Sequence, residues 1–222
     1  MTILRGTEIE AVFFDLDGTL VDSAPDLVAA MQRLREEMGL PPVEPAHISA
    51  VVSKGGRAML RRGFPDADES RIETLLPRFL DLYSQAIATH TRTYHGIDAM
   101  LDALEARAIK WGIVTNKPGW LARSLVTELK LDVRHAALVS GDCLPQRKPE
   151  PEQILYACKL AGVSAERCVY VGDDVRDIEA GRRAGTMTVA VGWGYLAGED
   201  PHAWCADIVI TSPDQLLPAL AL

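Results

Sequence analysis

The sequence has no long apolar segment and few aromatic side chains. Phe, Trp and Tyr make up 6% of the 222 residues, and no apolar run approaches the roughly 20 residues that a membrane-spanning helix needs. Residues 1–10 also lack the apolar core of a secretory signal. We therefore expect a cytoplasmic protein without a membrane partner.

Cysteine is scarce, and its spacing suggests no special role. The four cysteines are Cys143, Cys158, Cys168 and Cys205. None forms a C-x-x-C pair, and none stands at metal-ligand spacing from a histidine. We expect reduced thiols, as is usual in the cytoplasm.

Positive charge is in short supply. Lys and Arg total 23 against 31 Asp and Glu, which gives a net charge of −8. A protein that wraps a polyanion normally carries a basic excess, so nucleic-acid binding is not expected. A small anionic ligand stays possible, because a local site can oppose the overall charge.

What is present is a globular composition with strand–helix alternation. The hydrophobic content of 48% is enough for a sizeable core. Short apolar runs at 9–14, 111–114, 137–139, 168–171, 188–191 and 208–210 predict buried strands. Helical patterns separate them, for example at 151–161 before Gly162 and at 174–184 before Gly185. This order predicts an α/β fold with a Rossmann-like parallel sheet and right-handed crossovers.

The segment from about residue 23 to about residue 92 breaks the alternation. It contains two apolar stripes at helical spacing, which are Leu27, Met31, Leu34 and Met38, then Ile72, Leu75, Leu76, Phe79, Leu82 and Tyr83. We predict an all-helical insertion with hinges near 21–24 and 91–96. The predicted domains are an α/β core of 1–21 and 93–222 and a helical domain of 22–92.

Polar residues follow the first four predicted strands of the core. They are Asp15 and Asp17, then Thr115 with Asn116 and Lys117, then Lys148, then Asp173 with Asp174 and Asp177. In an open parallel sheet, ligands bind beyond the carboxyl ends of the strands. We therefore expect these side chains to meet at one edge of the sheet.

That set of side chains predicts phosphoryl transfer. Clustered carboxylates repel one another unless a cation lies between them, and oxygen ligands together with a substrate phosphate suit Mg²⁺. A carboxylate can attack phosphorus, and Lys148 and Thr115 would offset the charge of the transferring group. Asp15 and Asp17 project to the same side of an extended segment, so one can attack while the other moves the proton.

Several of these residues resemble a known family. Residues 15–23, with the sequence DLDGTLVDS, resemble the first motif of the haloacid dehalogenase superfamily. Thr115, Lys148 and residues 172–177 resemble its second, third and fourth motifs, and the helical insertion resembles its mobile cap. On residues 114–118 and 192–195 the chain is most similar to phosphoglycolate phosphatases, and it is close to the N-acetylmuramic acid 6-phosphate phosphatases.

The resemblance implies an enzyme and a set of roles. The enzyme would be a Mg²⁺-dependent phosphatase acting on a small phosphate monoester, either phosphoglycolate or a sugar phosphate such as N-acetylmuramic acid 6-phosphate. Asp15 would be the nucleophile and a metal ligand, and would form an aspartyl phosphate. Asp17 would be the general acid/base with its backbone carbonyl on the metal. Asp173 would bind the metal directly, and either Asp174 or Asp177 would complete the shell.

The remaining roles concern the substrate. Thr115 and Lys148 would hold the transferring phosphoryl group, and Asn116 would contribute to the phosphate pocket. Lys54 and Arg57 flank two adjacent glycines in the insertion, where glycine allows close backbone approach. These two cations are candidates to contact a substrate carboxylate or sugar when the cap closes. We expect a monomer or a homodimer.

Three other functions use related chemistry. A signalling module also phosphorylates an Asp beside Mg²⁺, Thr and Lys, but its Asp follows a middle strand of a much shorter chain. Halide-removing members of the superfamily lack a residue equivalent to Asp17 and need no metal. A sugar phosphomutase shares the full machinery and stays open as an alternative.

Overall fold

The computed structural model describes residues 8–222, and a six-stranded parallel sheet lies at its centre. The strands occur in the order β5–β4–β1–β6–β7–β8. Their bounds are β1 Ala11–Phe14, β4 Lys110–Val114, β5 Ala137–Val139, β6 Cys168–Gly172, β7 Met187–Val191 and β8 Ile208–Ile210. The predicted α/β class and Rossmann-like sheet are confirmed.

Helices cover the sheet and connect its strands. They are α5 Ile97–Glu105, α6 Gly119–Glu128, α7 Glu152–Ala161, α8 Val175–Ala184 and α9 Leu216–Ala219. Gly162 ends α7 and Gly185 ends α8, both in the left-handed conformation that glycine adopts without strain. Among residues 8–222, no helix is both long enough and apolar enough to cross a membrane.

The apolar runs are strands because both faces of the sheet are covered. Along β1, Val12 and Phe14 join one apolar cluster, and Ala11 and Phe13 join another. All four side chains are buried. A strand buried on both faces has no solvent side, so it reads as a continuous apolar run.

Strand β1 is the point at which the strand order reverses. It pairs with β4 on one side and with β6 on the other, and the later strands extend outward from each. The crevice at such a reversal lies beyond the carboxyl ends of the central strands. The segments after β1, β4 and β6 therefore face a common space.

The insertion is helical, as its apolar stripes predicted. Its helices are α1 Ala24–Glu37, α2 Pro45–Ser49, α3 Gly56–Gly63 and α4 Glu69–Ser84. We refer to α1–α4 and their connecting loops as the cap. Met31 and Leu34 of α1 and Ile72 and Phe79 of α4 are buried in one cluster.

The two linkers of the cap are held together. Strands β2 (Val21–Asp22) and β3 (Arg92–Thr93) pair antiparallel. The buried carboxylate of Asp26 accepts hydrogen bonds from the backbone N–H groups of His90 and Thr91 and from the Thr91 hydroxyl. The predicted hinge segments thus lie side by side, whereas the division into domains of 1–21 with 93–222 and 22–92 stays a prediction.

Candidate active site

Three buried carboxylates meet at the carboxyl end of the sheet. Asp15 directly follows β1, Asp173 directly follows β6, and Asp177 lies in the first turn of α8. One oxygen from each lies within 4.8 Å of the other two. Burial and the neighbouring carboxylate of Asp15 raise the pKa values of Asp173 and Asp177 above the ordinary range. We refer to this group as the acidic cluster.

The acidic cluster fits a hard divalent cation. Its ligands are all carboxylate oxygens, which such cations prefer. Oδ1 of Asp15 is buried and, apart from its ion pair with the Lys148 ammonium, has no hydrogen-bond donor among residues 8–222. A cation at this position would satisfy that oxygen and offset the mutual repulsion of the three carboxylates.

Gly18 allows the loop after β1 to approach Asp173. Its φ is +86°, and a Cβ at this position would lie 2.1 Å from Oδ2 of Asp173. The Thr19 hydroxyl donates to Oδ1 of Asp173 at 3.1 Å, and the backbone N–H of Tyr195 donates to Oδ2 at 2.8 Å. A side chain at position 18 would displace the Asp173 carboxylate from this setting.

Lys148 ties the acidic cluster to the sheet. Its ammonium lies 2.8 Å from Oδ1 of Asp15 and 2.7 Å from Oδ1 of Asp177. It donates to the Val114 carbonyl at 3.0 Å and to the Tyr170 hydroxyl at 2.9 Å. Burial works against the charged form, but the two carboxylates raise the pKa of Lys148 well above its ordinary value. Lys148 is therefore a fixed cation beside Asp15.

The structure also places the two residues that follow β4. The Thr115 side chain lies beside the cavity described below and is almost fully buried. The Asn116 amide donates to the Lys148 carbonyl at 3.1 Å and accepts from the Lys148 backbone N–H at 3.1 Å. Asn116 therefore holds the Lys148 backbone, while its predicted contact with phosphate stays a prediction.

The Asp17 carboxylate lies apart from the acidic cluster. It accepts a hydrogen bond from the Ser23 hydroxyl at 2.5 Å. The Lys117 ammonium contacts both of its oxygens, at 3.0 and 3.1 Å. Burial alone would lower the pKa of Lys117, but Asp17 and Tyr83 raise it above its ordinary value. Asp17 thus faces a buried cation and the first linker.

A cavity of about 360 Å³ lies between the cap and the core. Its core side carries Asp15, Asp17 and Thr115 together with Lys148. Its cap side is lined by the apolar side chains of Leu27, Val52, Met59, Leu76 and Leu80, by Tyr83, and by residues 53–57, which include two cations. The volume is within the range of small-molecule sites.

The loop between α2 and α3 reaches from the cap into the core. Oγ of Ser53 donates to Oδ2 of Asp173 at 2.7 Å, and the Arg176 guanidinium donates to the Ser53 carbonyl at 2.5 Å. Lys54 pairs with Asp174 at 3.1 Å and with Glu199 at 3.0 Å. Polar contacts therefore hold the cap against the segments that follow β6 and β7.

The cations that line the cavity differ in whether they already have a partner. Lys54 is paired as described above, and Arg57 contacts Glu73 through two hydrogen bonds of 2.5 and 2.8 Å. Within residues 8–222, Arg147 is the cavity-lining cation for which the structure shows no ion pair and no side-chain hydrogen bond. Its exposed side chain is therefore free to meet an anionic ligand.

Comparison with known proteins identifies the family. A model of the haloacid dehalogenase-like hydrolase family matches residues 12–191. The chain is 47% identical to a phosphoglycolate phosphatase of Xanthomonas campestris pv. campestris strain 8004, over 93% of this chain and 94% of that one. It is 42% identical to an N-acetylmuramic acid 6-phosphate phosphatase of Pseudomonas aeruginosa, over 98% of this chain and 97% of that one. The chain belongs to the haloacid dehalogenase-like hydrolase family.

Solved structures share the fold. A predicted phosphoglycolate phosphatase from Haemophilus somnus 129pt superposes with a TM-score of 0.87 at 25% identity, covering 96% of this chain and 99% of that one. CbbY from Rhodobacter sphaeroides, solved with phosphate, gives a TM-score of 0.78 at 20% identity over 96% and 100% of the two chains. The predicted resemblance to the haloacid dehalogenase superfamily and the predicted hydrolase class are confirmed.

Some residues of this haloacid dehalogenase site had no predicted role. Lys117 stands next to Thr115 and Asn116, so its position after β4 was already a signal. Ser53 and Arg147 each adjoin a predicted residue. Tyr83 lies in the second apolar stripe, so its spacing predicts a buried ring. Nothing in the sequence indicates that its hydroxyl reaches the site.

Proposed function

We propose that this haloacid dehalogenase-like hydrolase is a Mg²⁺-dependent phosphatase that hydrolyses a small phosphate monoester through an aspartyl phosphate at Asp15. The observation that carries the proposal is the setting of Asp15. Its carboxylate lines the cavity, lies 2.8 Å from the Lys148 ammonium and belongs to the acidic cluster. A nucleophile, a fixed cation and a set of metal ligands are thus next to one space.

In the first step, Lys148 and Thr115 hold the phosphoryl group in line with Asp15. A carboxylate oxygen of Asp15 forms a bond to phosphorus while the bond from phosphorus to the ester oxygen breaks. Asp17 gives its proton to the departing oxygen. Lys148 offsets the negative charge that spreads over the phosphoryl oxygens.

In the second step, Asp17 takes a proton from water as that water attacks phosphorus. The bond from phosphorus to Asp15 breaks, and inorganic phosphate and the free carboxylate are regenerated. Asp15, Asp173 and the backbone carbonyl of Asp17 would hold Mg²⁺, with Asp177 close by. When bound, the cation supplies positive charge next to the transferring group.

The cavity favours a carboxylated sugar phosphate over phosphoglycolate as the substrate. Both named relatives take their names from substrates that carry a carboxylate, for which Arg147 is the free cation. The cavity of about 360 Å³ exceeds what a two-carbon phosphate ester fills. The apolar side chains on its cap side suit the ring face and acetyl methyl group of an N-acetylated sugar.

The proposal is tested by comparing the hydrolysis of two phosphate esters. We expect release of inorganic phosphate from N-acetylmuramic acid 6-phosphate with a higher kcat/KM than from phosphoglycolate, and loss of activity after chelation of Mg²⁺. Activity that survives exhaustive chelation would contradict the metal requirement. Formation of an isomeric sugar phosphate would instead indicate the phosphomutase, and stable phosphorylation without turnover would indicate the signalling module. The cytoplasmic location and the monomeric or homodimeric state stay predictions.

A further inference from the structure

Three side chains form a continuous polar chain from the cap to Asp17. The Lys117 ammonium contacts Asp17 at 3.0 and 3.1 Å, and it also donates to the Tyr83 hydroxyl at 3.0 Å. Lys117 lies 4.6 Å from the centre of the Tyr83 ring. Tyr83 belongs to α4 of the cap, whereas Lys117 and Asp17 belong to segments that follow β4 and β1.

We propose that Lys117 is a positioning residue that orients the Asp17 carboxylate, and that Tyr83 makes this orientation depend on the position of the cap. The inference rests on the proposed function, in which Asp17 moves the proton. It adds a residue pair that neither the motifs nor the family resemblance assigned.

The contacts of Asp17 support the first half of the proposal. Lys117 lies close to both carboxylate oxygens, which opposes rotation of the carboxylate about its Cβ–Cγ bond. The Ser23 hydroxyl adds a third contact at 2.5 Å. The Lys117 side chain is only 6% exposed and that of Asp17 only 15%, so little water competes for these positions.

The partners of Lys117 support the second half. A buried ammonium group needs acceptors for its protons, because an unsatisfied buried donor is costly. Asp17 supplies two oxygens and Tyr83 supplies the other acceptor, while the Tyr83 ring covers the charge from the cap side. Movement of α4 away from the core would remove this acceptor and this cover together, and Lys117 would shift to reach water. The carboxylate that Lys117 holds would shift with it.

The leaving group of the substrate provides a specific readout. An alkoxide leaves only when Asp17 supplies a proton, whereas p-nitrophenolate is stable enough to leave without one. A misoriented Asp17 therefore slows the cleavage of an alkyl phosphate more than that of p-nitrophenyl phosphate. The value of kcat/KM reports this cleavage step, whichever later step limits kcat. A loss confined to the alkyl ester therefore reports on proton transfer by Asp17 rather than on a general loss of activity.

The experiment measures kcat/KM for N-acetylmuramic acid 6-phosphate, the alkyl ester, and for p-nitrophenyl phosphate, the aryl ester. The proteins compared are wild type, Lys117→Met and Tyr83→Phe, with Asp17→Asn as reference. General acid catalysis contributes about 100-fold or more, so we expect Lys117→Met to lower kcat/KM for the alkyl ester by about 100-fold and for the aryl ester by about 5-fold or less. Tyr83→Phe keeps the ring and should lower the alkyl value by about 5-fold. Lys159→Met and Tyr156→Phe make the same chemical changes on α7 and serve as matched controls.

Three results would overturn the inference. Equal losses for the two esters in Lys117→Met would show that Lys117 does not act through Asp17. If Lys117→Met lowers kcat/KM for the alkyl ester by the same factor in Asp17→Asn as in wild-type protein, the two residues act independently. A Tyr83→Phe variant with the wild-type ratio of the two kcat/KM values would remove the link to the cap, and this variant also carries the test if Lys117→Met does not fold. Wild-type protein that hydrolyses neither ester would overturn the proposed function as well.

Discussion

Oγ of Ser53, on the cap, donates a hydrogen bond to Oδ2 of Asp173, in the acidic cluster, at 2.7 Å. The two residues are 120 positions apart in the chain. Oδ2 of Asp173 also accepts from the backbone N–H of Tyr195. The cap is therefore in direct contact with a predicted metal ligand, and that contact gives the cap a way to respond to the state of the site.

This contact predicts a loss of stability in Ser53→Ala. A hydrogen bond contributes about 0.5–1.5 kcal/mol, so the free energy of unfolding should fall by that amount in urea titrations without Mg²⁺, where burial and the neighbouring Asp15 raise the pKa of Asp173. Ser49→Ala is the matched control, because the Ser49 hydroxyl donates within its own helix, to the carbonyl of Pro45. Equal stability of the two variants would show that the cap does not rest on Asp173 in solution.

Mg²⁺ should stabilise the protein through the acidic cluster. Three buried carboxylates repel one another, and a ligand that binds only the folded state raises the midpoint of unfolding. We expect Tm to rise with Mg²⁺ concentration in wild-type protein and to be insensitive to it in Asp173→Asn. Without Mg²⁺ the variant should be at least as stable as wild type, since one source of repulsion is gone. A Mg²⁺-dependent rise of the same size in Asp173→Asn would place the ion elsewhere.

Gly18→Ala should disrupt the site by a clash rather than by backbone strain alone. The added Cβ would lie 2.1 Å from Asp173, at a φ of +86°. Gly39 has a φ of +67° with no atom within 4 Å of its added Cβ, so Gly39→Ala measures the strain by itself, about 1–2 kcal/mol. We expect Gly18→Ala to lose more stability than this control and to lose Mg²⁺ binding in a calorimetric titration. Retention of full Mg²⁺ affinity would contradict the packing of Gly18 on Asp173.

Arg147 should recognise the carboxylate of the substrate. N-acetylglucosamine 6-phosphate differs from N-acetylmuramic acid 6-phosphate by the absence of the carboxylated ether group, which makes the two esters a matched pair. A charge-assisted contact contributes about 1.5–3 kcal/mol, so Arg147→Gln should lower kcat/KM for the carboxylated ester by about 10-fold or more relative to the other. If Lys54→Gln shows this selectivity and Arg147→Gln does not, the original prediction for Lys54 is the better one.

The sequence predicts the fold well where local pattern and burial agree. Strand β1 is apolar throughout because helices cover both faces of the sheet. Its apolar run was therefore enough to predict a buried strand. The polar residues after β1, β4 and β6 were readable for a similar reason, since parallel strands end at a common edge. The meeting of Asp15, Asp173 and Asp177 follows from that topology.

Contacts between side chains that are far apart in the sequence could not be predicted in this way. Asn116 faces the Lys148 backbone, and Lys117 joins Asp17 to Tyr83, across separations of 32 to 100 residues. Leu76 belongs to the apolar stripe that predicted α4, and it lines the cavity. Helical spacing shows which face of α4 is apolar, but what that face meets depends on how the cap sits on the core.

The most direct test of the central claim is identification of the phosphorylated residue during turnover. Wild-type protein that is turning over substrate would be quenched in acid and reduced with borohydride, which converts an aspartyl phosphate to homoserine, and the peptide containing Asp15 would be sequenced by mass spectrometry. We predict homoserine in place of Asp15 only when substrate and Mg²⁺ are both present. Reduction at a different residue, or rapid turnover with position 15 unmodified under conditions that trap other acyl phosphates, would contradict the account.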